Sequence, residues 1–477
     1  MKVIVIGAGP AGITCAYELC KAGVEVKVFE ASGAVGGLAR SISLWNQTVD
    51  IGPHRFFSSD ARVNRLWLEV VGQDYRMVDR LTRIYYRKRF FSYPLQPVNA
   101  LINMGPVEAA RSLLSYAREK ISPQAPRDGA TDTFEFWVVN RFGRRLFELF
   151  FKTYSEKLWG IGCDELDADF AAQRIKKFSL GEAIKSAFKL GNGKHKTLVD
   201  QFAYPLQGTG MVYERMAEYV RQRGGQVHLN CPVRRVRNTE RKIEGIELEN
   251  GDAIDADFVV STMPLTLLAG RLGGVPESVQ AAIDSLSYRN TILVYLLVDS
   301  PSLFPDQWLY IHAADLQVGR VTNFRNWAPS LYGNESNSIL ALEYWANAGD
   351  PLWKETEENL IALAEREMRS TGLLGQAAVT AGQVYRIPRC YPVYKRGYKE
   401  KLQVVVDYLH PFERLIPIGR YGAFKYNNQD HSILMGILAA ENIVENRQND
   451  LWSINTDYEA YQETAVITET GLVIGGG

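Results

Sequence analysis

The first 30 residues of the chain show the hydrophobic pattern of a strand, a turn, a helix and a second strand. Lys2–Ile6 places four apolar residues in succession, which is typical of a strand buried on both faces. A turn with three glycines, Gly7–Gly12, follows at once, and Ile13–Cys20 predicts a helix. Val24–Phe29 predicts a second strand that ends just before Glu30. This order predicts the first unit of a parallel α/β sheet.

The rest of the chain predicts helices first, then short strands, and then a return to the first sheet. Residues 65–120 and 131–195 show amphipathic spacing that predicts mainly helices, and residues 121–132 between them predict a loop. Asn250–Asp252 predicts a turn between two strands. The further predicted elements are short strands at 226–230, 233–236, 243–248 and 258–262, strands with loops over 290–345 and a helix over 355–370. Residues 416–419 are expected to re-enter the first domain, followed by a closing helix over 433–446 and a partly disordered tail after about residue 457.

Composition and charge narrow the class of protein. The 477 residues are 46% hydrophobic and 23% charged, which is typical of a globular chain of two or three subdomains. Lys plus Arg and Asp plus Glu both number 54, so the net charge is zero and we expect no nucleic-acid partner. The sequence lacks an uninterrupted apolar run of about 18 residues, so we expect no membrane span. Five scattered cysteines favour neither disulfides nor a metal site, and they suit a reducing, cytoplasmic location.

The glycine-rich turn has the spacing of a dinucleotide-binding motif. Gly7 would make the tight turn, Gly9 would let the backbone approach a pyrophosphate, and Gly12 would let helix pack on strand. The helix N-terminus would offer free N–H groups to the phosphates. Glu30, after the second strand, would accept hydrogen bonds from ribose hydroxyls.

The segment after Glu30 favours one cofactor. Gly36, Gly37 and Arg40 continue past the acid with a second glycine pair and a basic residue. This extended motif resembles the N-terminal signature of the FAD-dependent amine oxidase-like superfamily. The resemblance implies that these three residues lie along the FAD pyrophosphate.

Four further segments mix aromatic, arginine and amide residues in predicted loops. Aromatic rings offer faces to a nucleotide base, and arginine binds phosphate through two parallel hydrogen bonds. Together they supply the contacts that a nucleotide-sugar site needs. The segments are residues 52–57, 91–96, 154–160 with 173–174, and 419–432.

Over residues 1 to about 445 these segments resemble the UDP-galactopyranose mutases. The Gly52-Pro53-His54 turn is similar to the motif that places a histidine beside the flavin ring, and Phe57 stands where bacterial mutases have a second histidine. The resemblance implies catalytic roles for His54, Arg174 and Arg320, with the two arginines on the substrate phosphates. It implies cofactor contacts for Gly419, Arg420, Asn428, Gln429, Asp430 and Ser432, and we also expect one from Val233. It implies substrate contacts for Tyr93, Gln96, Tyr154, Trp159, Tyr391 and Tyr426, and we also expect one from Tyr344.

The expected fold class is α/β, with a Rossmann-like FAD-binding domain, an inserted helical substrate-capping domain and a mixed β-sheet. The expected domains are 1–60, 205–270 and 412–450 for FAD, 61–204 for the cap, 271–411 for the mixed sheet and 451–477 for a tail. An oligomer is compatible with the sequence.

The resemblance implies a redox-neutral interconversion of the pyranose and furanose forms of a UDP-sugar such as UDP-galactose. Reduced FAD would be the active cofactor, with NAD(P)H as a candidate reductant. One alternative is an FAD-dependent oxidoreductase, related to amine or protoporphyrinogen oxidases, that acts on another substrate. A flavin-binding protein without catalysis is the third interpretation.

Overall fold

The computed structural model describes residues 1–93, 95, 97–122, 131–169, 201–454 and 465–474. Twenty-one strands are found in these ranges. They are β1 Lys2–Ile6, β2 Glu25–Phe29, β3 Ser41–Leu44, β4 Gln47–Asp50, β5 Tyr75–Asp79, β6 Thr82–Tyr86, β7 Arg89–Ser92, β8 Gln201–Pro205, β9 Gln226–His228, β10 Val233–Thr239, β11 Lys242–Leu248, β12 Ala253–Asp255, β13 Phe258–Ser261, β14 Tyr288–Val298, β15 Trp308–Ile311, β16 Arg320–Asn323, β17 Ser338–Ala346, β18 Val379–Pro392, β19 Leu415–Pro417, β20 Ala465–Thr468 and β21 Gly471–Ile474.

The helices of the same ranges connect and cover the sheets. They are α1 Pro10–Lys21, α2 Ala61–Val71, α3 Pro97–Met104, α4 Pro106–Ile121, α5 Phe134–Phe142, α6 Arg144–Leu146, α7 Thr153–Trp159, α8 Gly210–Gln222, α9 Leu265–Gly270, α10 Glu277–Ser285, α11 Pro351–Lys354, α12 Glu357–Thr371, α13 Tyr398–Leu409, α14 Gly419–Gly422 and α15 Gln429–Val444. A π-helical turn, Phe147–Lys152, joins α6 to α7. None of these described helices has the length and apolar character needed to cross a bilayer.

The first sheet has five parallel strands in the order β19-β13-β1-β2-β9. Its central strand, β1, is buried from Val3 to Ile6, as its continuous apolar sequence predicts. The chain returns to this sheet twice, first through β9 and β13 and finally through β19. The α/β fold class is therefore confirmed.

The second sheet has seven strands in the order β18-β14-β17-β16-β15-β6-β7. All its pairs are antiparallel except β15 with β6, so the sheet is mixed. β14 is buried along ten of its eleven residues, because its alternate side chains pack into two different hydrophobic clusters. The predicted domain boundaries remain a prediction, and β6 and β7 carry the predicted cap segment into this sheet.

Two predictions about secondary structure are wrong. Residues 75–92, expected to be helical, form β5, β6 and β7, because β5 pairs with β8 and β6 pairs with β15, both distant in sequence. The closing helix begins at Gln429, four residues earlier than predicted.

The described part of the tail contains the β20–β21 hairpin, which is fixed in place where Tyr75 Oη donates to Thr468 O at 2.6 Å. The predictions for residues 123–130 and 170–195 lie outside the described residues.

Candidate functional site

A cavity of about 690 Å³ lies at the carboxyl ends of the parallel strands. Ile6 ends β1, Phe29 ends β2, Thr262 directly follows β13, and Gly419 lies two residues after the end of β19; all four line the cavity. Ligands of open parallel sheets bind in the crevice outside the carboxyl ends of the strands, where the strand order reverses. The cavity therefore occupies the position expected for a dinucleotide.

Two glycines face each other across one wall of this cavity. A Cβ on Gly9 would meet only the Cα of Gly37, at 3.8 Å, so the protein itself leaves room for it. Gly37 has a φ of +54°, and a Cβ there would lie 2.9 Å from Gly9 Cα. Gly12 has a structural role: a Cβ at this position would lie 2.1 Å from Gly7 O, so a side chain would clash with the turn. Gly7, Gly9 and Gly37 line the cavity, as the motif predicts for a backbone that approaches a pyrophosphate closely.

The N-termini of two helices meet at the same wall. α1 begins after Gly9 with Pro10 in its first turn, and α15 begins after Asn428. The two helices pack closely, because a Cβ on Gly436 would lie only 2.6 Å from Ala11 O. Both N-termini direct unpaired backbone N–H groups and a partial positive charge at the cavity, which favours an anionic ligand.

Glu30 lies at the end of the cavity next to β2, and its carboxylate is already oriented by the protein. Oε2 accepts from Ala8 N at 2.8 Å, and Oε1 accepts from Ser32 N at 2.9 Å and Ser32 Oγ at 2.7 Å. A carboxylate has about four lone-pair sites, so it can still accept from a ribose hydroxyl. Arg40 donates to Ser32 Oγ at 3.3 Å and lies behind this network, and it is outside the cavity lining. Val233 lines the cavity near Glu30, as expected.

The turn that carries His54 is held by Gln429 in the first turn of α15. Gln429 Nε2 donates to His54 O at 3.3 Å and Arg55 O at 2.9 Å, while Gln429 Oε1 accepts from Tyr213 Oη at 2.8 Å. Thr209 Oγ1 donates to His54 O at 2.9 Å. Gln429 therefore positions the His54 turn as well as lining the cavity. Asn428, Asp430 and Ser432 line it beside Gln429.

The imidazole of His54 faces the cavity without a charge. Burial, with the positive charges of Arg320 and Arg420, lowers the pKa of His54 to about 3. The ring is therefore neutral at physiological pH and can act in the cavity wall as a hydrogen-bonding group.

Asp50, which the sequence did not single out, supports this turn from beneath. Its carboxylate accepts from Ser41 Oγ at 2.5 Å, Tyr204 Oη at 2.7 Å and Thr209 N at 3.0 Å. Tyr295 Oη donates to Asp50 O at 2.9 Å. Burial raises the pKa of Asp50 to about 6, although the three hydrogen bonds favour the charged form.

We expect Asp50 to make the stability of the protein depend on pH. Its pKa is about 6 in the folded chain and about 3.9 in an unfolded one, so the folded state favours the protonated form. The stabilisation is complete below about pH 4 and is lost as the pH rises through about 6, by ~3 kcal/mol in all. Denaturant unfolding of wild type and Asp50→Asn across this window should show the variant gaining relative stability as the pH rises. A constant difference between the two would contradict the prediction.

The arginines expected or found at the cavity differ in how they are paired. Arg320 donates from Nε and Nη2 to the two oxygens of Glu343, at 2.6 and 2.5 Å, and the Glu343 side chain is only 2% exposed. Arg420 donates from Nη1 to Asn427 O at 3.2 Å, while its buried Nε and Nη2 have no partner. Arg55 also has a buried Nη1 without a partner. Arg55 and Arg420 therefore present unsatisfied donors at the cavity, whereas the charge of Arg320 is already paired with that of Glu343.

The aromatic residues expected at the substrate divide into those that line the cavity and those behind it. Tyr93 and Tyr426 line it. Tyr154 stacks on His312 with ring centroids 4.7 Å apart and contacts the lining residue Tyr310 edge-on at 5.6 Å. The remaining two, Trp159 and Tyr391, are buried against Tyr426 at 5.8 and 5.5 Å and do not line the cavity.

Two buried cations fix α7, the helix that carries Tyr154 and Trp159. Lys157 Nζ donates to Ala313 O at 2.6 Å and Ile311 O at 3.3 Å, and burial lowers the pKa of Lys157 to about 8. Arg289 donates to the carbonyl oxygens of Lys157 and Leu158, both at 3.3 Å, at the C-terminus of the helix. A cation suits this position because of the helix dipole. Tyr154 is thereby held against the second sheet.

Tyr344 does not lie where it could make the expected contact with the substrate. Tyr344 is fully buried and donates from Oη to Glu367 Oε2 at 3.0 Å, away from the cavity. Its neighbour on β17, Glu343, pairs with the cavity residue Arg320, and successive side chains of a strand point to opposite faces. Arg174 and Gln96 lie outside the described residues, and their roles remain predictions.

Several lining residues were missed by the sequence analysis. Trp308 and Tyr310 line the cavity from alternate positions of β15, and this period of two was a usable signal. Arg80 and Arg271 also line the cavity. Their positions depend on how the chain reverses direction, which the local sequence pattern does not reveal. Within the described ranges, no group of three His, Cys, Asp or Glu side chains is arranged to hold a metal ion.

The profile of the family described as "Flavin containing amine oxidoreductase" matches residues 10–385. Among curated proteins, a probable UDP-galactopyranose mutase of Klebsiella pneumoniae is 28% identical over 191 residues, which is 37% of this chain and 46% of that protein. A zeta-carotene-forming phytoene desaturase of Myxococcus xanthus is 22% identical over 280 residues, which is 55% of this chain and 53% of that protein. The chain spans about half the length of these two curated relatives.

Solved structures show the same fold over nearly the whole chain. A reduced UDP-galactopyranose mutase has a TM-score of 0.83 at 22% identity and covers 94% of this chain and 96% of its own. A putative protoporphyrinogen oxidase from Exiguobacterium sp. 255-15 has a TM-score of 0.71 at 16% identity and covers 94% and 99%. These identities are evidence for the fold alone.

Proposed function

Because this chain belongs to the family of flavin-containing amine oxidoreductases, we propose that its cavity holds FAD and interconverts the pyranose and furanose forms of a UDP-sugar. Reduced FAD, when bound, supplies a nucleophilic flavin ring for a reaction without net electron transfer. The protein's part is to bind both diphosphates, orient the sugar and exclude water.

The residues at the strand ends fit FAD. The Gly9–Gly37 wall leaves space that a side chain would fill, and two helix N-termini favour a diphosphate beside it. The Glu30 carboxylate lines the cavity at the carboxyl end of β2 and is held in a fixed orientation. It can therefore accept hydrogen bonds from the ribose hydroxyls of FAD. The neutral ring of His54 suits an uncharged flavin edge.

The observation that carries the substrate proposal is the cationic lining of the same cavity. Arg55, Arg80, Arg320 and Arg420 all contribute to it, and two of them have buried donors without a partner. Buried unsatisfied donors cost about 1–3 kcal/mol each, which a phosphate oxygen would remove. The pyrophosphate of FAD can satisfy the donors that face the cofactor, such as those of Arg420. For the remaining cations an amine or a polyene supplies no phosphate acceptor, whereas a nucleoside diphosphate supplies several.

The aromatic lining supports a nucleoside. Tyr93 and Tyr310 lie in contact, with ring centroids 4.6 Å apart, and Trp308 lies two residues before Tyr310 on β15. All three line the cavity. Flat faces beside cationic groups are what a base and its diphosphate require.

The test is a product assay on the reduced enzyme. Dithionite-reduced protein incubated with UDP-galactose and other UDP- and dTDP-sugars is expected to give an isomer of the substrate, separable by chromatography, with the total sugar nucleotide unchanged. Oxidised protein should give none. Consumption of NAD(P)H or oxygen in proportion to product would instead assign the oxidoreductase function to this site.

A further inference from the structure

Helix α4 presents its large apolar residues to solvent, whereas its buried residues are polar. The exposed fractions of Val107, Leu114 and Ile121 are 65%, 70% and 85%, and those of Ile102 and Leu113 beside them are 71% and 40%. The buried residues of α4 are Ser112 and Glu119. A surface helix normally shows the opposite arrangement, with its apolar stripe facing the core.

The exposed residues form one continuous stripe. Val107, Leu114 and Ile121 are seven residues apart, and the exposed Ala110 and Ala117 lie between them at helical spacing. Residues seven apart lie two turns along the same face, so the stripe runs the length of the helix. In the described ranges ten large hydrophobic side chains are exposed, and five of them belong to α3 and α4: Ile102, Val107, Leu113, Leu114 and Ile121.

The stripe is flanked by positive charge. Arg111 and Arg118 lie along one side of it and Lys120 along the other, and all three are exposed. The exposed β6–β7 turn adds Arg87 and Lys88. Arg89 Nη1 donates to Asn103 O at 2.5 Å, which places this turn against the end of α3.

The acidic residues of α4 do not offset this charge on the exposed face. Glu119 is buried, and Glu108 pairs with Arg145. The hydrogen bond from Arg145, with Arg111 and Arg87 nearby, holds the pKa of Glu108 below its usual range. A net charge of zero for the whole chain therefore coexists with a local cationic rim around an apolar stripe.

We propose that this face, the apolar stripe of α3 and α4 with its cationic rim, docks the protein on the surface of an anionic lipid bilayer. An apolar face with flanking Lys and Arg lies in the plane of the interface, with its side chains among the acyl chains and its cations at the headgroups. A second copy of the chain fits less well, because two such faces would bring the same cations together. The docking is independent of the reaction proposed above.

The test is cosedimentation of the purified full chain with vesicles. Wild type is expected to bind phosphatidylcholine vesicles that contain roughly 30 mol% phosphatidylglycerol, to bind pure phosphatidylcholine weakly, and to dissociate in about 0.5 M salt. Leu114→Ser with Ile121→Ser should weaken binding at least about tenfold. Arg111→Gln with Arg118→Gln should remove the preference for the anionic lipid. The matched control is Val404→Ser with Val444→Ser, which changes exposed valines on α13 and α15.

All these positions are exposed, so the variants should unfold at the wild-type temperature. Wild type that does not bind the anionic vesicles, or an apolar double variant that binds them as tightly as the control, would overturn the proposal. If wild type is a dimer and the apolar double variant a monomer, with no vesicle binding by either, the face belongs to a second copy and the proposal is wrong.

Discussion

Gly9→Val is expected to give a folded protein that purifies with little or no flavin. The added side chain would project into the cavity beside Gly37, where the proposed pyrophosphate approaches the backbone. We expect FAD affinity to fall at least about 100-fold, or ~2.7 kcal/mol. The absorbance spectrum of the purified variant and titration with FAD measure the effect.

The surroundings of Gly9 allow a loss of flavin binding to be distinguished from a loss of folding. A Cβ on Gly9 meets only Gly37 Cα at 3.8 Å, which is ordinary contact, so the secondary structure by circular dichroism should match that of wild type stripped of flavin. Gly349→Val, at a glycine whose Cβ would meet nothing within 4 Å, is the matched control and should retain flavin. A Gly9→Val protein with a full flavin spectrum would show that the cofactor does not lie in this wall.

Arg320→Ala is expected to weaken UDP binding about tenfold or more and also to destabilise the protein. The first effect follows because a charge-assisted hydrogen bond to phosphate is worth roughly 1.5–3 kcal/mol. The second follows because Glu343, 2% exposed, would lose its partner, and breaking a buried pair costs about 3–5 kcal/mol. An arginine that contacted only the substrate, as the sequence suggested, would not show this second effect.

A substitution of Glu343 distinguishes the role of Arg320 in UDP binding from its role in the stability of the protein. Glu343→Gln removes a carboxylate next to the proposed diphosphate and frees Arg320, so UDP binding should be equal or tighter. Arg320→Ala with Glu343→Gln should recover much of the lost stability but not the lost affinity. Calorimetric titration of UDP and denaturant unfolding of all four proteins complete this cycle. Equal UDP affinity in all four would leave Arg320 a purely structural residue.

Where the secondary structure depends on local pattern, the sequence and the structure agree. The β1–turn–α1–β2 unit follows from a buried apolar run, a glycine turn and an amphipathic helix, all within 30 residues, and Gly7, Gly9 and Glu30 line the cavity as expected. The residues that follow Asn428 form the N-terminus of α15, which lies against the glycine turn. This helix begins four residues earlier than predicted.

The sequence by itself determined the α/β class, the position of the dinucleotide motif and some of the segments that supply the cavity, because each of these is encoded by contiguous residues. Only the tertiary structure decided how individual side chains are used. Pairing of β6 with β15 turned a predicted helix into a strand, and the alternation of β17 directed Glu343 toward Arg320 and Tyr344 away from the cavity. The physical reason is that these partners are not neighbours in sequence: Glu343 is 23 positions from Arg320, and β15 lies in a distant part of the chain from β6. No local pattern records which of them lies within hydrogen-bonding distance.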